Sequence, residues 1–164
     1  MFVPLETLPE NARVWIYPLS RDLNEVEKSQ AENKLRQFVS SWKAHGHDLR
    51  ASFKLLQNRF IVLAADELHH APSGCSIDAS VHAVKEIVAT LGVDLASRGQ
   101  VFFVQSNTIN PVSVGQLRKD LEAGKWNADS LVFDASVTTL GELERNPVPA
   151  SQTWLARYFE RLSV

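Results

Sequence analysis

Seven side chains able to do acid–base, nucleophilic or metal chemistry crowd one short stretch of this chain: Asp66, Glu67, His69, His70, Cys75, Ser76 and Asp78. Cys75 is the only cysteine. It stands where a helix begins, and unpaired amide N–H groups and the helix dipole there favour a thiolate. With His69 as base and Asp66 or Asp78 as the carboxylate, it would make a small thiol-dependent hydrolytic enzyme, with Cys75, His69 and Asp78 as the catalytic candidates. His45, His47, His69, His70 and Cys75 together could instead bind zinc or another transition metal. The amides of residues 74–76 could cradle an anion.

Each feature also has a plainer reading. Free cysteine is among the most buried residue types and packs like a small hydrophobe. Ser76 and Asp78 in a first helical turn cap it and complement its dipole. Asp66 and Glu67 can simply end a buried strand in water, and adjacent loop histidines are usually solvated. The histidine and cysteine spacings match no standard structural zinc pattern, so no metal is assigned. No arginine follows Cys75 at phosphatase-loop spacing. The chain has neither Gly-x-x-x-x-Gly-Lys-Ser/Thr nor Gly-x-Gly-x-x-Gly, so no nucleotide or other cofactor is expected. These weights favour binding over catalysis, through Asp66, His69, His70, Gly74, Cys75, Ser76 and Asp78, with His45 beside them.

The elements that position these groups follow from hydrophobic spacing. Residues 13–18 form a β-rich run stopped by Pro18. Asn24 and Glu27 make a capping-box pattern. Behind it Ala31, Leu35, Phe38, Val39 and Trp42 recur at helical spacing, with Gly46 as the expected stop. Leu49, Ala51, Phe53 and Leu55 alternate with Arg50, Ser52 and Lys54, a strand with one wet face. A turn at 57–59 leads into residues 60–65, apolar throughout and expected to be covered on both sides. A second helix starts near Ser76, carries Ile77, Val81, Val84, Ile87, Val88 and Leu91 on one face, and closes at Gly92. Residues 100–104 read as a fourth strand.

The order β-α-β-β-α-β predicts an α+β fold with a ferredoxin-like core over residues 12–105. Residues 106–164 are expected to form a mainly helical C-terminal extension of the same domain. In it Asn110-Pro111 opens a helix ending at Gly124, residues 131–133 form a short strand, and Ser151 caps a last helix with Trp154, Leu155, Tyr158, Phe159 and Leu162 on one stripe. This connectivity places the loop holding His45, His47 and Asp48 at the same end of the sheet as the loop holding Asp66, His69, His70 and Cys75. Gln105, Ser106 and Asn107 are expected there too. Arg21 belongs at the opposite end, as a lead-in to the first helix. Trp15 and Tyr17 are expected to pack on the sheet.

Composition bounds the setting. The net charge is −2, which argues against nucleic acid as the main partner because phosphate binding leaves a basic footprint. The longest apolar run, 60–65, is far short of the ~20 residues of a membrane helix, so no membrane partner is expected. The first ten residues carry no basic segment followed by an apolar run, so they do not read as a signal peptide. One cysteine fits a reducing compartment, and a cytoplasmic location is expected. The partner is unknown, and a homodimer through a sheet face or the C-terminal stripe is an open alternative.

The segments Arg13-Val-Trp-Ile-Tyr17, Ser41-Trp-Lys-Ala-His-Gly46, Asn58-Arg-Phe-Ile-Val62 and above all Ser73-Gly-Cys-Ser-Ile-Asp-Ala-Ser-Val-His82 resemble an uncharacterised family from Bacteroidetes-type bacteria. Val132-Phe133 and the C-terminal Ser-x-x-Trp also fit, so the resemblance spans most of the chain. Members often carry the label of an ABC-transporter ATPase, which the absence of a phosphate loop here does not support. The resemblance implies no established activity and draws attention to Gly74, Cys75, Ser76 and Asp78.

Overall fold

The computed structural model describes residues 1–68 and 70–160. In chain order its elements are β1 (Arg13–Pro18), α1 (Glu25–Ser41), β2 (Lys43–Ala44), β3 (His47–Asp48), β4 (Ala51–Leu56), β5 (Phe60–Ala65), α2 (Gly74–Leu91), β6 (Gln100–Gln105), β7 (Thr108–Ser113), α3 (Leu117–Glu122), β8 (Leu131–Phe133), α4 (Leu140–Glu144), β9 (Val148–Pro149) and α5 (Arg157–Glu160). The fold is mixed α and β with antiparallel sheets. The chain divides into two compact units. One is Met1–Ala96 with Ser136–Glu144; the other is Ser97–Ala135 with the chain from Arg145 onward.

The first unit is built on the sheet β1-β5-β4, whose central strand pairs antiparallel with both neighbours. All six residues of β5 are fully buried, as its unbroken apolar run predicts. Ile61, Leu63 and Ala65 point to the face shared by Ala31, Leu35 and Val39 of α1 and Val84, Ile87 and Val88 of α2. Trp15, Tyr17, Phe53 and Leu55 pack on the same cluster. Ser52, expected on the wet face, is buried; Lys54 remains exposed.

Helix α1 begins as its sequence dictates. The Asn24 side chain accepts from the Glu27 N–H at 2.8 Å, and Glu27 accepts from the Asn24 N–H at 3.0 Å. Arg21 closes this box with a two-pronged ion pair to Glu27, at 2.9 and 2.7 Å. The Arg21 hydrogen bonds, reinforced by the Asn24 amide, hold the Glu27 carboxyl down at about 2. Its folded pKa therefore lies below the unfolded value near ~4.3. The stabilisation is complete above that pH and is lost as pH falls towards about 2. Urea midpoints measured between these limits should fall more steeply for the native chain than for Glu27→Gln; parallel curves would contradict the assignment.

Two expectations about the first unit are corrected. Helix α1 stops at Ser41 with Trp42 as its cap, not at Gly46. His45 and Gly46 (φ 52° and 79°) instead turn the hairpin β2–β3, since two consecutive positive φ values suit a two-residue turn that follows strand twist. The four-stranded ferredoxin-like sheet over 12–105 is not formed. Residues 100–105 pair with β7 and β8 in a sheet ordered β7-β6-β8-β9, while β1 makes an isolated bridge through Arg13 to Thr139 and Leu19, just past its end, bridges Leu95.

The second unit is accordingly not mainly helical. Ser106 and Asn107 (φ 48° and 61°) make a tight turn, so residues 108–113 return as a strand where a helix was expected. Pro111 is tolerated because β7 lies at the sheet edge. Leu131–Phe133 is a strand, as expected. The final segment is a run of short turns before α5, and Thr153 rather than Ser151 supplies a cap, accepting from the Leu155 N–H at 3.1 Å. Leu162 lies outside the described residues. Phe103 and Val132 of the sheet pack with Leu117, Trp126, Leu155 and Tyr158.

Candidate functional site

The strand–helix order of the first unit brings two loops together. Helix α1 carries the chain from β1 to the parallel-running β4, and β5 returns antiparallel, so the segment before β4 and the segment after β5 emerge at one end. There the imidazoles of His47, in β3, and His70, in the loop after β5, lie face to face at 4.3 Å with an interplanar angle of 1°. Both residues are exposed.

Trp42 ties this hairpin to the start of α2. Its indole N–H donates to the Ser76 carbonyl at 2.8 Å, and its ring meets Trp15 and Phe38 at 5.5 and 5.3 Å. Leu49 N–H donates to the Trp42 carbonyl at 3.0 Å, continuing the hairpin ladder. Across the hairpin Lys43 and Asp48 are 3.8 Å apart.

The groups best suited to acid–base chemistry are engaged in holding the loops. Asp66 is 6% exposed; it accepts from the Leu68 N–H at 2.9 Å and from Arg50 at 3.4 Å. Arg50 also donates to the Thr7 carbonyl at 3.3 Å. Asp66 thus closes an Asx turn and anchors the loop. Glu67 pairs with Arg13 at 3.5 Å. Ser73, not Ser76, caps α2, accepting from the Ser76 N–H at 3.1 Å, while the Ser76 hydroxyl returns a bond to the Ser73 carbonyl at 2.8 Å. Ser76 is buried, and its carbonyl already holds Trp42.

Cys75 overturns the base-rate expectation of burial: its thiol is exposed and free. Gly74 and Asp78 are exposed beside it on α2, and His45 is exposed at the hairpin turn. His69 lies outside the described residues. Gln105, Ser106 and Asn107 belong to the second unit, in the β6–β7 hairpin. Among the described residues no three His, Cys, Asp or Glu side chains are placed to hold a metal ion.

Sequence reasoning missed Leu68, an apolar side chain 76% exposed at the tip of the loop between Asp66 and His70. Its signal was present, since a leucine following Asp-Glu in a loop cannot reach the core that β5 fills. What the geometry defines is a mixed α/β chain with an exposed loop edge bearing stacked imidazoles, an apolar tip and a thiol-bearing helix start. No family model, no curated protein and no solved structure matches it. No helix among the described residues is long and apolar enough to cross a membrane.

Proposed function

We propose that the chain is a non-enzymatic interaction module that recognises a partner through residues 45–48 and 66–78. One observation carries this reading. The exposed groups of that edge (His47, His70, Leu68) offer aromatic and apolar contact, whereas Asp66, one of the two carboxylates a catalytic relay could use, is committed to structural hydrogen bonds. Exposed apolar and aromatic groups on a loop held by a rigid scaffold are what a recognition surface uses. The free exposed thiol supports a reducing, cytoplasmic setting.

The rival is a thiol enzyme, favoured by the exposure of Cys75 at a helix start. Iodoacetamide decides between them. The module reading expects Cys75 to alkylate no faster than cysteine in an unstructured peptide at neutral pH. A rate more than about tenfold higher would mark an activated nucleophile and support the enzyme.

A further inference from the structure

The second unit contains a cavity of about 150 Å³ between the sheet and the segment following α3. Phe103, Asn110 and Val112 form the sheet side, and Asp120, Lys125 and Trp126 the other. Phe103 and Trp126 meet at 5.5 Å between ring centroids, giving the cavity an aromatic corner. The Trp126 indole N–H is already spent on the Leu117 carbonyl at 2.8 Å, so this ring offers its π surface rather than a donor.

The charges on the wall are unequal in burial. Asp120 is only 7% exposed, whereas the Lys125 side chain is 68% exposed. Both neighbours of the carboxylate reach the same oxygen: Gln116 Nε2 donates to Oδ1 at 3.0 Å, and Lys125 Nζ lies 3.6 Å from Oδ1. Oδ2 takes no partner among the described residues. A mostly buried carboxylate with one oxygen unpaired among the described residues, in the wall of a cavity with an aromatic corner, is an acceptor for a cation. The ring adds to that preference through its quadrupole, and the carboxylate through a charge-assisted hydrogen bond.

We propose that this cavity binds a small organic cation, an ammonium or guanidinium on a compact apolar body, with its N–H groups on Asp120 Oδ2 and its body against Phe103, Val112 and Trp126. The volume lies below the roughly 300–1,000 Å³ of drug-sized pockets, which limits the occupant to a small molecule. Lys125, 3.6 Å from the same carboxylate and mostly in water, is a competitor that the ligand displaces, not a contact that it needs.

Two-dimensional NMR of the full chain tests this with three isosteric probes at millimolar concentration: benzylammonium, benzyl alcohol and benzoate. Benzylammonium should move the Trp126 indole and Asn110 side-chain amide resonances saturably. The alcohol and the benzoate should bind at least about tenfold more weakly, the factor contributed by one charge-assisted hydrogen bond. Asp120→Asn should erase that selectivity, and Lys125→Ala should bind benzylammonium at least as tightly as the native chain. Should Asp120→Asn fail to fold, the probe ranking and Lys125→Ala still decide. Preference for benzoate, weakened binding in Lys125→Ala, or no response to any probe would each overturn the proposal.

Discussion

Trp42→Ala is expected to lower the stability of the chain by about 3–5 kcal/mol, the usual cost of emptying a buried aromatic site. Trp42 is 2% exposed and joins four parts of the first unit: it caps α1, packs on Trp15 of β1, donates to Ser76 of α2 and opens the β2–β3 hairpin. The loss is large against a typical total of ~5–15 kcal/mol, so the unfolding midpoint should fall steeply. Trp42→Phe keeps much of the ring but loses the indole hydrogen bond to the Ser76 carbonyl, which retains its helical partner, and should cost about 0.5–1.5 kcal/mol. Urea unfolding of both variants gives the comparison. Equal small losses would mean that the junction of hairpin and helix does not depend on this side chain.

The opposite pattern is expected at the recognition edge. Leu68→Asp and the pair His47→Ala, His70→Ala remove exposed side chains that fill no core position, so each variant should unfold within about 0.5 kcal/mol of the native chain. Binding should nevertheless be abolished, because apolar and aromatic anchors dominate recognition surfaces and a charge placed at the Leu68 tip must be desolvated on docking. Stability and binding thus separate at this edge, whereas Trp42→Ala should damage both by loosening the hairpin that carries His47.

How much of this was legible in the sequence depended on how local the cause was. The capping box at Asn24 and Glu27, the double burial of β5 and the closure of α2 by Gly92 in the left-handed region rest on side chains acting on their own segment. The meeting of the 45–48 and 66–73 segments also followed, because it needs only the connectivity of β1, α1, β4 and β5. Strand 100–105 was placed in the wrong sheet because pairing is a choice between partners. The β-turn at Ser106-Asn107 offered β7 as an adjacent partner, and loop closure favours the nearer one. Asn110-Pro111 reads as a helix opening unless that turn is recognised first. The exposure of Cys75 and the burial of Asp120 were hidden because neither residue type nor spacing says whether a side chain in the first turn of α2 or on the short α3 meets a neighbour.

A photo-crosslinking residue at position 68, compared with one at position 26, tests the recognition edge most directly. Val26 is 67% exposed and Leu68 76%, so the two positions differ in place rather than in accessibility. In extract from the source cells, position 68 should yield a discrete adduct, to another protein or to a second copy of this chain. Position 26 should not, and the His47→Ala, His70→Ala pair should abolish the adduct without shifting the unfolding midpoint. Identical adducts from both positions, or none from position 68, would contradict the account.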